Sequence, residues 1–264
     1  MKDVSRMKGL VASVALCVAW AGGASAHELT IKAVSTKVEA GVPFEAAVHS
    51  SHTFIVPEEV EVLSRVTAGL FADGEIVASE LRADEEDLCI DFTVTPTSDG
   101  TLILVATKDG ETWCVTSEGG KTGARSELEA QGLKVLSAKK YDKYAKAIVN
   151  ATKGDETSRA VVGHPLEIVP VTDPAEAKAG GRLHVKILLE GQPYTGPVWA
   201  TWDGFAPGLT NTYAYYTEAE SGEAWIELTA PGWWGVRAVA SGLPGVEGDY
   251  DSRELRAFLL FAVE

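Results

Sequence analysis

Short runs of alternating apolar and polar residues, most of them closed by a glycine or proline turn, recur along nearly the whole chain. Residues 29–34 and 44–49 alternate with period two, and residues 102–106 form an unbroken apolar run ended by Lys108-Asp109-Gly110. In the second half residues 183–189 alternate between the turn signals Gly180-Gly181 and Gly191-Gln192-Pro193, and residues 198–202, 224–228, 234–240 and 257–263 continue the pattern. Period two puts successive side chains on opposite faces of a strand, so this pattern predicts sheets with one wet face and one packed face. Many short strands with Gly and Pro turns point to antiparallel sandwiches and exclude a wound parallel sheet. The predicted class is all-β: two immunoglobulin-like or transthyretin-like sandwiches, over residues 27–134 and 161–264. Residues 137–151 read differently, because Tyr141, Tyr144, Ala145 and Ile148 fall at helical spacing with lysines opposite. They predict a short helix within a connector over 135–160 that ends in a polar, flexible link.

The amino end has the three parts of a secretory signal. Lys2, Arg6 and Lys8 precede an apolar stretch from Leu10 to Trp20, and Ala24-Ser25-Ala26 is a small-x-small cleavage site. The apolar stretch is short for a bilayer span of about 20 residues. The expectation is a signal peptide over 1–26 and a soluble periplasmic product beginning at His27. The full chain carries 23 basic and 38 acidic residues. Residues 1–26 hold three of the basic residues and one of the acidic, so the remaining chain has 20 against 37, a net charge of −17. That field repels nucleic acid and attracts cations.

Cleavage before His27 frees an α-amine that, with imidazole Nδ1, can close a chelate ring on one metal ion. His49 and His52 follow a strand, and they converge on one ion if the chain turns between them. Imidazole nitrogens suit nickel, copper, zinc and iron, so His27, His49 and His52 form the candidate metal site, with Ni(II) or Cu(II) favoured by a nitrogen-only set. The alternative is two exposed loop histidines and a chance His at the cut. Glu58 and Glu59 follow closely and are candidate acceptors orienting an imidazole from outside the ligand set. His164 and His184 read as a turn residue and a surface residue.

Two cysteines, Cys89 and Cys114, remain after residue 26, and in an oxidising compartment such a pair predicts a cross-strand disulfide. The second half is rich in aromatics: Trp225 and Trp234 fall inside strands and read as core. Trp202, Phe205, Tyr213 and Tyr215 are alternatively a sugar-stacking or partner-binding face. No G-x-S-x-G, no H-E-x-x-H and, after residue 26, no thiol outside the expected disulfide is present, so the chain reads as non-enzymatic.

The join and the second half carry a further pattern. It comprises Lys143 to Ala147, Gly163-His164-Pro165-Leu166-Glu167-Ile168-Val169-Pro170 with Asp173-Pro174, Leu188 to Pro193, Gly222-Glu223-Ala224 and Pro231 to Trp234. With the His after the cut and His52-Thr53-Phe54, this resembles a family of exported bacterial proteins. That family is a domain of unknown function known as a periplasmic component of nickel or cobalt transport, NikM-like or NikK-like. The resemblance implies two sandwiches and capture of Ni(II) or Co(II) for an energy-coupling-factor type membrane transporter, with His27 and His52 at matching positions. Two other readings stand beside it: a carbohydrate- or protein-binding module without metal, and a copper protein with an amino-terminal histidine.

Overall fold

The alternating segments do form strands, and the computed structural model describes residues 27–264. The expected signal peptide and its cleavage site lie outside the described residues. In the first half the strands are β1 (Glu28–Ala33), β2 (Phe44–Ser51), β3 (Val66–Ala72), β4 (Glu75–Ala78), β5 (Leu81–Asp84), β6 (Cys89–Val94), β7 (Leu102–Lys108), β8 (Thr112–Thr116) and β9 (Gly119–Thr122). The six-residue helix α1 (Arg125–Ala130) and the strand β10 (Val135–Val149) follow. The second half contains β11 (Leu166–Pro170), β12 (Arg182–Leu189), β13 (Gln192–Pro193), β14 (Gly196–Trp202), β15 (Tyr215–Ala219), β16 (Glu223–Glu227), β17 (Gly232–Val246) and β18 (Tyr250–Val263).

These strands build three sheets. A four-stranded sheet has the order β1-β2-β6-β5, and another joins β11, β12, β13 and β16. Between them runs a ten-stranded sheet, β15-β14-β17-β18-β10-β7-β3-β4, with β8 and β9 continuing from β10. One core packs the first small sheet (Leu29, Ile31, Val48, Phe92) against Leu104, Ala147 and Leu260 of the large sheet. The other packs the second small sheet (Leu166, Leu183, Ile226) against Ile148, Trp234, Val236 and Leu259. Along β10, Ala145, Ala147 and Val149 enter one core while Tyr144 and Ile148 enter the other. Strand alternation therefore places the two cores on opposite faces of one shared sheet. The pairing is antiparallel except for β10 with β18, which run parallel. Both strands are covered on two sides over much of their length, the setting in which parallel pairs are found.

Two expectations are corrected here. The predicted helix over 137–151 is strand through Val149, and the two halves share a sheet in place of a helical joint. The helical reading put the lysines in water, but Lys143 and Lys146 are buried and paired with Glu61 and Glu167. Once those lysines count as interior, β10 is a strand covered on both faces. The predicted Cys89–Cys114 disulfide is absent, and both thiols are free and buried. Cys89 lies on β6 of the first small sheet and Cys114 on β8 of the large one, so they are not cross-strand neighbours. Each thiol instead donates to an oxygen at 3.4 Å: Cys89 to Asp91 Oδ1, and Cys114 to the Gly123 carbonyl.

Candidate metal centre

The ladder between β1 and β2 decides which histidines meet. Its last pair is Glu28 with Ser51, so His27 and His52 each lie one residue beyond the same open end. Their rings sit side by side, with centroids 3.9 Å apart. His49 is paired further in, opposite Thr30 on one side and Cys89 on the other. Its ring Nδ1 lies 3.2 Å from the Ile55 carbonyl oxygen. Residues three apart on a strand face opposite ways, so no turn brings the imidazole of His49 round to His52. Burial pulls His49 down to about 4, against the support of its Ile55 hydrogen bond. It is a neutral interior histidine and stands outside the converging group of His27, His52 and Glu58.

After His52 the chain reverses through Ile55, which holds a left-handed φ of 49°. The return is fixed by the Glu58 N–H donating to the Ser50 carbonyl at 3.0 Å and by a bridge between Ser50 and Glu59. This turn swings both glutamates back onto the histidines. Glu58 Oε1 accepts from the backbone N–H groups of His52 (2.9 Å) and Thr53 (3.0 Å). Glu58 Oε2 lies 2.8 Å from His52 Nδ1 and 3.4 Å from His27 Nε2, while Glu59 Oε1 lies 2.6 Å from His27 Nδ1. Partial burial pushes the Glu58 carboxyl up, but the His52 ring and the two backbone donors outweigh it and hold the group below the ordinary range.

His27, His52 and Glu58 each offer one ligand atom, all within 4.8 Å of one another. Their side chains are 22 %, 23 % and 30 % exposed, so the cluster opens to solvent. Two imidazole nitrogens and a carboxylate oxygen form a donor set that first-row divalent metals accept. Glu58, read from the sequence as an outer partner, thus stands among the potential ligands, and Glu59 braces the far nitrogen of His27. The second half also contributes: the Asn211 N–H donates to the His52 carbonyl at 2.7 Å, and Glu28 is bound by Arg237 and Arg256. No signal in the sequence connects residues 159 or more positions apart, and only the tertiary fold brings them here.

Residues 24–242 match the family described as Domain of unknown function (DUF4198). The chain belongs to that family. No curated protein matches this DUF4198 chain. Among solved structures, the D0-D1 domain of Intimin is 12% identical, covering 90% of this chain and 99% of that one at a TM-score of 0.22. The ectodomain (Ig1–Ig3) of mouse nectin-like molecule 4 is 11% identical, covering 90% and 65% at a TM-score of 0.20.

The other sequence candidates are placed as follows. His164 is buried, Nε2 has no partner, and burial pulls the ring down to about 4. His184 stacks on Trp225 at 4.1 Å and lies 3.1 Å from Glu223. Trp234 is core as expected, whereas Trp225 faces outward at 44% exposure. Glu61, two residues beyond Glu59, is buried with Lys108 and Lys143.

Proposed function

We infer that this DUF4198 protein is a non-enzymatic carrier of a divalent transition metal, Ni(II) or Co(II), which it holds at His27, His52 and Glu58. The observation carrying this reading is the meeting of two imidazoles and one carboxylate within 4.8 Å at a solvent-open strand end. Imidazole and carboxylate donors suit these ions, and the acidic chain, at net charge −15, draws cations towards it. Partial exposure of every ligand suits a cargo ion that must also leave. In an exported chain cut after Ala26, the His27 α-amine adds a further nitrogen donor. The ion would pass to a membrane transporter of the energy-coupling-factor type, as the family resemblance implies.

The test uses the exported protein, with its amino terminus verified by mass spectrometry, titrated with Ni(II) and Co(II) by calorimetry. One equivalent is expected to bind, and H52A or E58Q is expected to weaken binding by about tenfold or more. Wild-type affinity in both variants overturns the site. Cu(II) fits the same nitrogens and binds more tightly than Ni(II) at most such sites, so copper in place of nickel in protein isolated from its native compartment favours a copper carrier. A second reading rests on the outward stack of Arg182, Trp225 and His184, with Arg182 5.0 Å over the indole. Aromatic faces of this kind take sugars, and glycan binding that survives chelator and is lost in W225A favours a carbohydrate-binding module.

A further inference from the structure

Glu28 follows His27 directly and is 4% exposed. Its Oε1 accepts from Arg237 Nη2 on β17 and from Arg256 Nη1 on β18, each at 2.7 Å. Both arginines are themselves held. Arg237 lies 4.7 Å over the Trp199 ring and 5.4 Å over that of Tyr213, and Arg256 Nη2 donates to Glu254 at 2.8 Å. The first strand is thus fastened across the molecule to two strands of the other half, one residue from a proposed ligand.

The second oxygen of Glu28 is buried without a protein partner, and so is Thr30 Oγ1. A buried carboxylate oxygen left unbonded costs more free energy than the fold has reason to give up, so such atoms mark a missing polar neighbour. Glu28 and Thr30 both line a cavity of about 10 Å³, together with Ser51, His52 and Tyr213. About 10–15 Å³ with two or more polar partners is what one water needs.

We propose that Glu28 is the positioning residue of the metal site, clamped by the two arginines through one oxygen and by a single buried water shared with Thr30 through the other. The clamp sets where β1 begins and so presses the His27 imidazole against that of His52. The water occupies the cavity behind His52 and keeps that ring from falling inward. This role rests on the metal-carrier reading for its purpose, but the positioning itself is a property of the metal-free protein.

The experiment therefore has a readout without metal. In the exported wild-type chain, cross-relaxation between the His27 and His52 rings is expected by NMR, and a crystal structure is expected to show one water between Glu28 and Thr30. E28A is expected to lose the ring contact and to bind Ni(II) about tenfold more weakly. E28Q keeps the shape and acceptor, and is expected to restore much of both. An E28A chain with the wild-type ring contact and affinity overturns the positioning role, and a cavity without density overturns the water. Should E28A not fold, R237Q, which removes one arm of the clamp on Glu28, carries the test: it is expected to weaken both readouts, and R237Q indistinguishable from wild type in both overturns the role. A wild-type chain showing the ring contact and binding no Ni(II) overturns the metal reading alone.

Discussion

Glu58 and Glu167 are built alike and placed differently. Each gathers successive backbone N–H groups: His52 and Thr53 for Glu58, and Val162, Gly163 and His164 for Glu167. Such rows of amides form an anion-binding concavity that fixes a carboxylate wherever it occurs. The cationic partner differs. Glu167 receives the Lys146 ammonium at 2.8 Å, with the two side chains 1% and 2% exposed. Glu58 faces two imidazoles at the surface, and its own side chain is 30% exposed. A lysine tethered to the central strand inside the protein stays beside Glu167 and makes it a structural staple. Imidazoles can be neutral, and a solvent-open gap between them and Glu58 leaves room for an exchangeable cation. One local device thus serves architecture in one place and a candidate site in the other, and burial decides between them.

The comparison breaks first, and most strongly, at Lys146. K146M leaves Glu167 charged and buried without its counter-ion, which is expected to cost about 3–5 kcal/mol in urea unfolding. Pairing K146M with E167Q is expected to recover a large part of that loss. A K146M chain within about 1 kcal/mol of wild type makes the two carboxylates equivalent and ends the contrast.

Acid titration sharpens it next. His164, beside Glu167, and His49 are both held near 4 by burial, against 6.5 when unfolded. Above pH 6.5 neither state carries the proton. As pH falls from 6.5 to about 4 the unfolded chain takes up protons that the folded chain refuses, so stability drops; below 4 the loss levels off. Each histidine is expected to contribute about 3 kcal/mol to that loss. Denaturant midpoints followed against pH are expected to decline less steeply in H164Q or H49Q, and an unchanged slope contradicts their buried neutral state.

At the open site the expected effects are smaller in stability and larger in binding. E58Q is expected to lower Ni(II) affinity about tenfold, or roughly 1.4 kcal/mol, by calorimetry. Without metal the same variant is expected to cost no more than about 1 kcal/mol, since exposed pairs contribute little. Glu58 is held below the ordinary carboxylate range, so its share is present above about pH 4.5 and fades as pH falls through its lowered value. A metal-free loss as large as that of K146M shows Glu58 to be a staple after all.

Much of this was legible in the residues. Alternation and apolar runs located the regions of β1, β2, β7, β12, β14 and β16 to β18, because a strand with one wet face shows its period directly and a covered one shows a continuous apolar run. It failed at β10, whose covered faces include lysines: helical spacing of its tyrosines and alanines was a coincidence that buried charge disguised. The histidines divide in the same way. His27 and His52 were legible as candidates, but His49 was placed with them by proximity in sequence, where strand alternation turns it away. Glu58 could be seen near the site but not in it, since the reversal through Ile55 is a tertiary matter.

By itself the sequence determined the β class, the turns, the acidic field and two of the three residues that converge, because these follow from local periodicity and residue chemistry. Tertiary structure alone decided that the halves share one sheet, that Cys89 and Cys114 lie on different sheets, and that Arg237 and Arg256 reach Glu28. Those outcomes depend on which strands pair across long stretches of chain. That pairing is set by how two cores can be buried at once, and no window of neighbouring residues contains it.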